Sequence, residues 1–281
     1  MKNNIPIRNF KNLFLKGIVI LFSVAATLPL LFVLFFIFKQ GISVINWNFF
    51  TELPKPVGES GGGIFNALMG SLMIIGIASL IAIPFGVSVG VYLSEFKKSK
   101  FAYWTLLSVD VLQGIPSIVI GIIIYLWLVK TMGGFSALSG SMALAIMMLP
   151  SIIKSTEETL KLIPDTLKEA SLSLGVPYYR TVLKVIIPAG ISGILSGIIL
   201  GIARIAGETA PLLFTAFGNP FTNVNILKPM ASLPLVIFNY AISPYEEWHN
   251  LAWGASLILI LFILLLNTIT KIAERKWRVQ F

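Results

Sequence analysis

Apolar runs long enough to cross a membrane dominate this chain, and short polar or basic segments separate them. A helix rises about 1.5 Å per residue, so roughly 20 mainly apolar residues cross the ~30 Å hydrocarbon layer of a bilayer. The stretches 17–38, 64–93, 105–129, 137–153, 189–216 and 251–271 meet this requirement and predict six spans. Each is expected to be helical, because unpaired backbone groups are too costly in lipid. The second and fifth are long enough to tilt or protrude. The fourth is short and stops near Leu149 and Pro150. Met230–Ile242 is also apolar, but it is too short to span and carries Pro234, so it reads as a re-entrant or interfacial helix within the long loop 217–250.

Composition supports insertion rather than a soluble fold. Hydrophobic residues make up 56% of the 281, and only 12% are charged, against roughly 25% in soluble domains. Mean hydropathy is +0.89. The net charge of +9 lies mostly between apolar runs, so it reads as topology and not as a nucleic-acid surface. With no cysteine, disulfides and thiolate chemistry are excluded. The basic start followed by Gly17–Phe38 resembles a signal peptide in outline, but the 22-residue apolar run exceeds the usual ~7–15 and is expected to stay as the first span.

The cations set the orientation. With the N-terminus inside, the inner segments hold Lys2, Arg8, Lys11 and Lys16; Lys97, Lys98 and Lys100; Lys154, Lys161, Lys168, Arg180 and Lys184; and Lys271, Arg275, Lys276 and Arg278. The outer segments hold only Lys39, Lys55, Lys130 and Lys228. This is a positive-inside pattern, with an even number of spans and both termini inside.

The inner loop 154–188 is the most informative polar segment. It predicts two short amphipathic helices, 154–162 and 166–174, divided at Pro164. Asp165 is placed to cap the second. Gly175 is placed to end it in the left-handed conformation, with Pro177 following. Glu169-Ala170-Ser171, three residues, Gly175, nine residues, then Val185-Ile186-Ile187-Pro188 resembles the EAA loop of ABC importer permeases. Ser171 stands where the second alanine is usual, and the spacing is intact. The resemblance implies that Glu169, Ala170, Ser171 and Gly175 form a coupling helix that docks on a separate ATPase. The chain has nothing like G-x-x-x-x-G-K-[ST], so ATP and Mg are expected on that partner and no cofactor on this chain.

Arg204 and Glu208 lie within the fifth span, at a spacing that puts them on one face of a helix. An unpaired charge at such depth costs at least ~2.5–3.5 kcal/mol. Two readings stand. The residues form an ion pair that fixes packing, or Arg204 faces a path and binds an oxyanion through its planar, always charged guanidinium, with Glu208 positioning it or accepting a proton. Gly197, Gly201, Ala203, Gly207 and Ala210 keep the helix slim, for close packing or for a path.

Ala203–Ala216 also resembles the PstA-type permease subunits of phosphate ABC importers. So do Glu59–Ile64, Ile83–Gly86, Tyr92–Glu95, Pro116–Gly121 and Ala231–Pro234. The family implies an all-α, six-span, type I ABC importer permease-like bundle in a bacterial or archaeal cell (inner) membrane. It implies a substrate pathway at Arg204, Glu208 and Thr209. Its expected partners are inorganic phosphate, PstB-like ATPase subunits, a second, PstC-like permease, a PstS-like phosphate-binding protein and membrane lipid, with no nucleic acid. Residues 1–58 carry little of the resemblance and form an N-terminal part. Residues 59–281 form the permease core. A permease for another oxyanion such as molybdate, or a secondary transporter or channel, remains the alternative.

Other polar residues read more simply. Asp110 is expected near the inner interface. His249 lacks a second ligand and reads as an interfacial anchor. Gly61-Gly62-Gly63 reads as a loop-to-helix junction, or as backbone donors for an anion. Trp104, Trp127, Trp253 and Trp277 suit an aromatic belt near the span ends. No set of residues suggests catalysis or a metal site, so the chain is expected to be a transporter subunit and not an enzyme.

Overall fold

The computed structural model describes residues 5–59 and 61–276. Lys2, Ser60, Trp277 and Arg278 lie outside the described residues. Four helices are long and apolar enough to cross a membrane, or six if each of two bent pairs counts as one span. The four are α1 (Ile5–Ile42), α3 (Phe65–Glu95), α6 (Ala137–Lys161) and α12 (Glu246–Lys276). The bent pairs are α4 (Lys100–Gly114) with α5 (Ser117–Met132), and α8 (Tyr178–Ala189) with α9 (Ile191–Ala206). Shorter helices are α2 (Trp47–Thr51), α7 (Asp165–Ser173), α10 (Ala210–Leu213) and α11 (Leu233–Ala241). No strand forms among the described residues; Phe217 and Met230 make an isolated bridge.

The core lies along α3, α6 and α9, around Ile74, Ala78, Leu144, Met148, Ile152 and Ile205. Helix α6 is central, with 67% of its most apolar stretch buried, while none of that of α1 is. Lipid solvates apolar side chains, so packing favours small residues that let backbones approach. Gly90 of α3 faces Thr156 of α6 so closely that a Cβ would lie 2.5 Å from it. Gly197 of α9 sits against Ser155 of α6, whose Oγ donates to the Gly193 carbonyl at 2.8 Å. Large apolar groups such as Leu72, Leu80, Phe85 and Leu200 point outward.

Several expectations need correction. The span expected to be continuous over 105–129 breaks after Gly114, and its halves meet at 104°. Pro116 offers no N–H and disfavours a helical conformation at Ile115, which is extended. The span expected at 189–216 ends at Ala206, and α8 joins it through Gly190 at 69°. Gly207 forms a turn, and Pro211 opens α10 instead of continuing α9. The fourth span does not stop at 153. It runs through buried Pro150 to Lys161 and absorbs the short helix expected over 154–162. Pro164, not Asp165, takes the cap position of α7, and Asp165 is its first residue, where a carboxylate suits the helix dipole.

The outer loops pack as ordered structure. Helix α11 is the expected loop helix, and the Leu233 N–H donates to Ser71 Oγ of α3 at 2.8 Å. The glycine run is a loop-to-helix junction: the Gly63 N–H donates to the Leu53 carbonyl at 3.1 Å, and backbone carbonyls crowd the space around its Cα. His249 Nε2 hydrogen-bonds with the Ser243 carbonyl at 2.6 Å, closing the turn before α12.

Candidate functional site

Two regions carry the chemistry. The first is the end of α9. Arg204 lies in its last turn and is exposed, while Ala203, Ile205 and Ala206 are buried. Gly207 turns the chain, so Glu208 and Thr209 leave the helix and are half-buried. The one-face placement of Arg204 and Glu208 therefore does not hold. The chain unwinds before Glu208 because the proline three residues on has no N–H to continue the helix. No ion pair or hydrogen bond joins Arg204 to Glu208 among the described residues. The packing ion pair is therefore absent, and the guanidinium stays open to a partner from outside the chain. The Thr209 carbonyl accepts from the N–H groups of Leu212 and Leu213 at 3.1 and 3.2 Å, starting α10. The slim glycine face of α9 serves close packing on α6 up to Gly201, which touches Met148.

The second region is α7 and its flanks. Glu169 and Ala170 are exposed, as a docking surface requires. Ser171 is buried and faces the body of the protein, where its Oγ hydrogen-bonds with Thr181 Oγ1 at 2.9 Å. It fastens the helix to the returning segment. Gly175 has φ +77° with open space around it. Backbone conformation, not crowding, requires glycine there.

A cluster that sequence spacing did not reveal ties α7 to α3. Lys168 Nζ and Tyr178 Oη both donate to Glu95 Oε2, the last residue of α3. Lys168 Nζ also donates to Tyr178 Oη at 3.2 Å and lies 4.7 Å from that ring's centre. The Glu95 side chain is only 9% exposed. Burial works against the Lys168 charge, but the hydrogen bonds to Glu95 and Tyr178 and the carboxylate's field outweigh it, raising its pKa above the ordinary lysine value. Tyr92–Glu95 stood out in the sequence, but its partners lie 73 and 83 residues away. Beside the cluster is a cleft of about 380 Å³, lined by Ser94, Phe96, Lys98, Leu160, Pro164 and Asp165.

Elsewhere, Asp110 pairs with Lys154 of α6, and both are partly exposed. At the other end of the molecule a cavity of about 580 Å³ opens between the outer loops, lined by Pro54, Asn66, Phe217, Asn219, Tyr240 and Trp248. No group of His, Asp or Glu among the described residues is arranged to hold a metal.

A glycine-packed helical bundle with four to six candidate spans is the architecture of a membrane protein, and comparison with known proteins gives its class. Over 76% of the chain the fold matches an inward-facing MetNI methionine ABC transporter, covering 97% of that chain with a TM-score of 0.60 at 16% identity. An amino acid ABC transporter matches with a TM-score of 0.51 at 19% identity, over 76% of this chain and 92% of that one. Residues 82–279 match the binding-protein-dependent transport system inner membrane component family, and the chain belongs to it. Among its relatives is the phosphate transport system permease protein PstA of Yersinia pestis, 43% identical over 88% of this chain and 84% of its own. PstA of Haemophilus influenzae is 41% identical over 86% of each chain. PstA 1 of Mycobacterium tuberculosis H37Rv is 36% identical over 87% of this chain and 81% of its own. The chain is thus a multi-pass transport component and not an enzyme.

Proposed function

We propose that this chain is a permease subunit of an ATP-driven phosphate importer in a bacterial cell membrane. Residues 59–281 form the transport core, and the end that carries α7 faces the cytoplasm. An external phosphate-binding protein delivers the anion to the outer mouth. This subunit and a second permease line the path. Two ATPase subunits, which hold the ATP and Mg, drive the cycle through α7. Glu169 and Ala170 present the docking face, and Gly175 sets its turn.

The observation that carries the substrate assignment is the exposed, unpaired Arg204 at the break between α9 and α10, in a chain whose relatives are phosphate permeases. A guanidinium on the wall of a path offers two parallel donors to a phosphate, and charge-assisted bonds of this kind are roughly twice as strong as neutral ones. The break sets the unwound Glu208 and Thr209 beside the same step. Glu208 provides an acceptor for the protons of hydrogen phosphate, and Thr209 a hydroxyl that both donates and accepts.

The test is uptake of labelled phosphate by the complete importer in proteoliposomes, with molybdate and sulfate as competitors. Wild-type protein should take up phosphate only with ATP inside. Arg204→Ala should abolish uptake while the ATPase still copurifies. Unchanged uptake by Arg204→Ala, or uptake selective for molybdate, would overturn the assignment.

A further inference from the structure

The three core helices are not all joined to α7 by the chain. Helix α6 runs into it through Leu162–Pro164, and α8 and α9 follow it through the turn at Gly175. The Ser171–Thr181 hydrogen bond reinforces the second connection. Helix α3 lies far away in sequence, and the cleft of about 380 Å³ separates its end from the Leu160–Asp165 segment. Glu95, Lys168 and Tyr178 bridge that gap.

We propose that Glu95, Lys168 and Tyr178 form a mechanical clamp that makes α3 move with α7 when the ATPase acts. This inference rests on the importer reading and adds to it a set of positioning residues that touch neither phosphate nor nucleotide. Three features support it. Glu95 closes α3 and is nearly buried, so its carboxylate has little water to replace lost partners. Lys168 lies on α7 and Tyr178 opens α8, so the carboxylate grips both sides of the Gly175 turn. Glu169 and Ala170, directly after Lys168, are exposed, so the outer face of α7 is free for the ATPase while its inner face holds α3. Tight packing of Gly90 on Thr156 would then carry the motion into α6 along the bundle.

The chain has no cysteine, so paired labels can be added cleanly. In the complete complex, spin labels at exposed Lys98 and Thr166 should report one unchanged distance with and without bound ATP. Glu95→Gln or Lys168→Met should split or broaden that distance on ATP binding. Both variants should keep ATP hydrolysis but move roughly tenfold less phosphate per ATP, the scale set by loss of one charge-assisted bond. Combining Glu95→Lys with Lys168→Glu should recover part of the coupling, because the pair and not either side chain alone forms the clamp; a merely structural pair would leave the ATP-dependent distance and the phosphate moved per ATP unchanged in the single variants. Three results would overturn the clamp: a wild-type distance that changes with ATP, single variants coupled like wild type, or a reversal no better than the singles. Failure of the wild-type complex to import phosphate would instead strike the importer reading, and the distance would still judge the clamp.

Discussion

The charges at the two working ends of this molecule are treated in opposite ways. Next to α7 the two most enclosed carboxylates are paired: Glu95 with Lys168 of α7, and Glu157 with Lys161 at the end of α6. At the end of α9, Arg204 and Glu208 lie four residues apart and do not meet. Paired groups hold elements in place, because breaking the pair leaves a charge without compensation. Unpaired groups in a membrane bundle are costly and persist where something outside the chain completes them. The first arrangement suits a lever, and the second suits a path for an anion.

The sharpest way to break this comparison is to remove the unpaired cation. Arg204→Ala should abolish measurable phosphate uptake, a loss of at least ~10²-fold, the scale of losing a charged partner to a desolvated ligand. Arg204→Lys should recover only part of it, because a lysine lacks the bidentate fork. If lysine restores full uptake, charge alone matters and the geometry of the break does not. Glu208→Gln should cost less, roughly tenfold in uptake, with assembly unchanged. Wild-type uptake in that variant would remove Glu208 from the path and leave Arg204 alone there.

Smaller effects test the lever. Gly175→Val should weaken copurification of the ATPase several-fold, because a branched side chain at φ +77° costs about 1–2 kcal/mol. Gly175→Asn should be nearly silent, since asparagine tolerates that conformation. Equal loss in both would mean that bulk at the turn, not backbone strain, decides docking. Ser171→Ala removes one hydrogen bond and leaves Thr181 Oγ1 buried without it, so thermal stability should fall by about 1 kcal/mol. Lys154→Met should change stability least, by about 0–1 kcal/mol, because its pair with Asp110 is partly exposed.

The two regions also differed in how far the sequence revealed them. The α7 loop was legible because its motif is local. Gly175, a turn and a short exposed helix follow from residues within a few positions of one another. The Glu95–Lys168–Tyr178 cluster was not legible, because its members come together only when α3 packs against α6. At α9 the reading went further than the residues allowed. Equal apolarity on both sides of Gly207 suggested one long helix, but Pro211 removes a donor and ends it. The same physics bent the third span at Pro116, whereas Pro29, Pro84 and Pro150 sit inside helices that continue. Proline alone therefore did not announce a break. Pro150 is buried among neighbouring helices, where the lost bond is tolerated, while Pro29 and Pro84 are exposed and still do not end their helices.

By itself the sequence determined the membrane class, the apolar stretches, the asymmetry of the charges between them and the local motif that ends at Gly175. Each of these depends on composition or on neighbours along the chain. Only the tertiary structure decided which prolines break a span, that Arg204 and Glu208 part company, and that α3 is tied to α7 by a carboxylate. Those outcomes depend on which helices lie side by side, and in lipid that choice rests on close packing of small residues and on polar pairs that hydropathy does not encode.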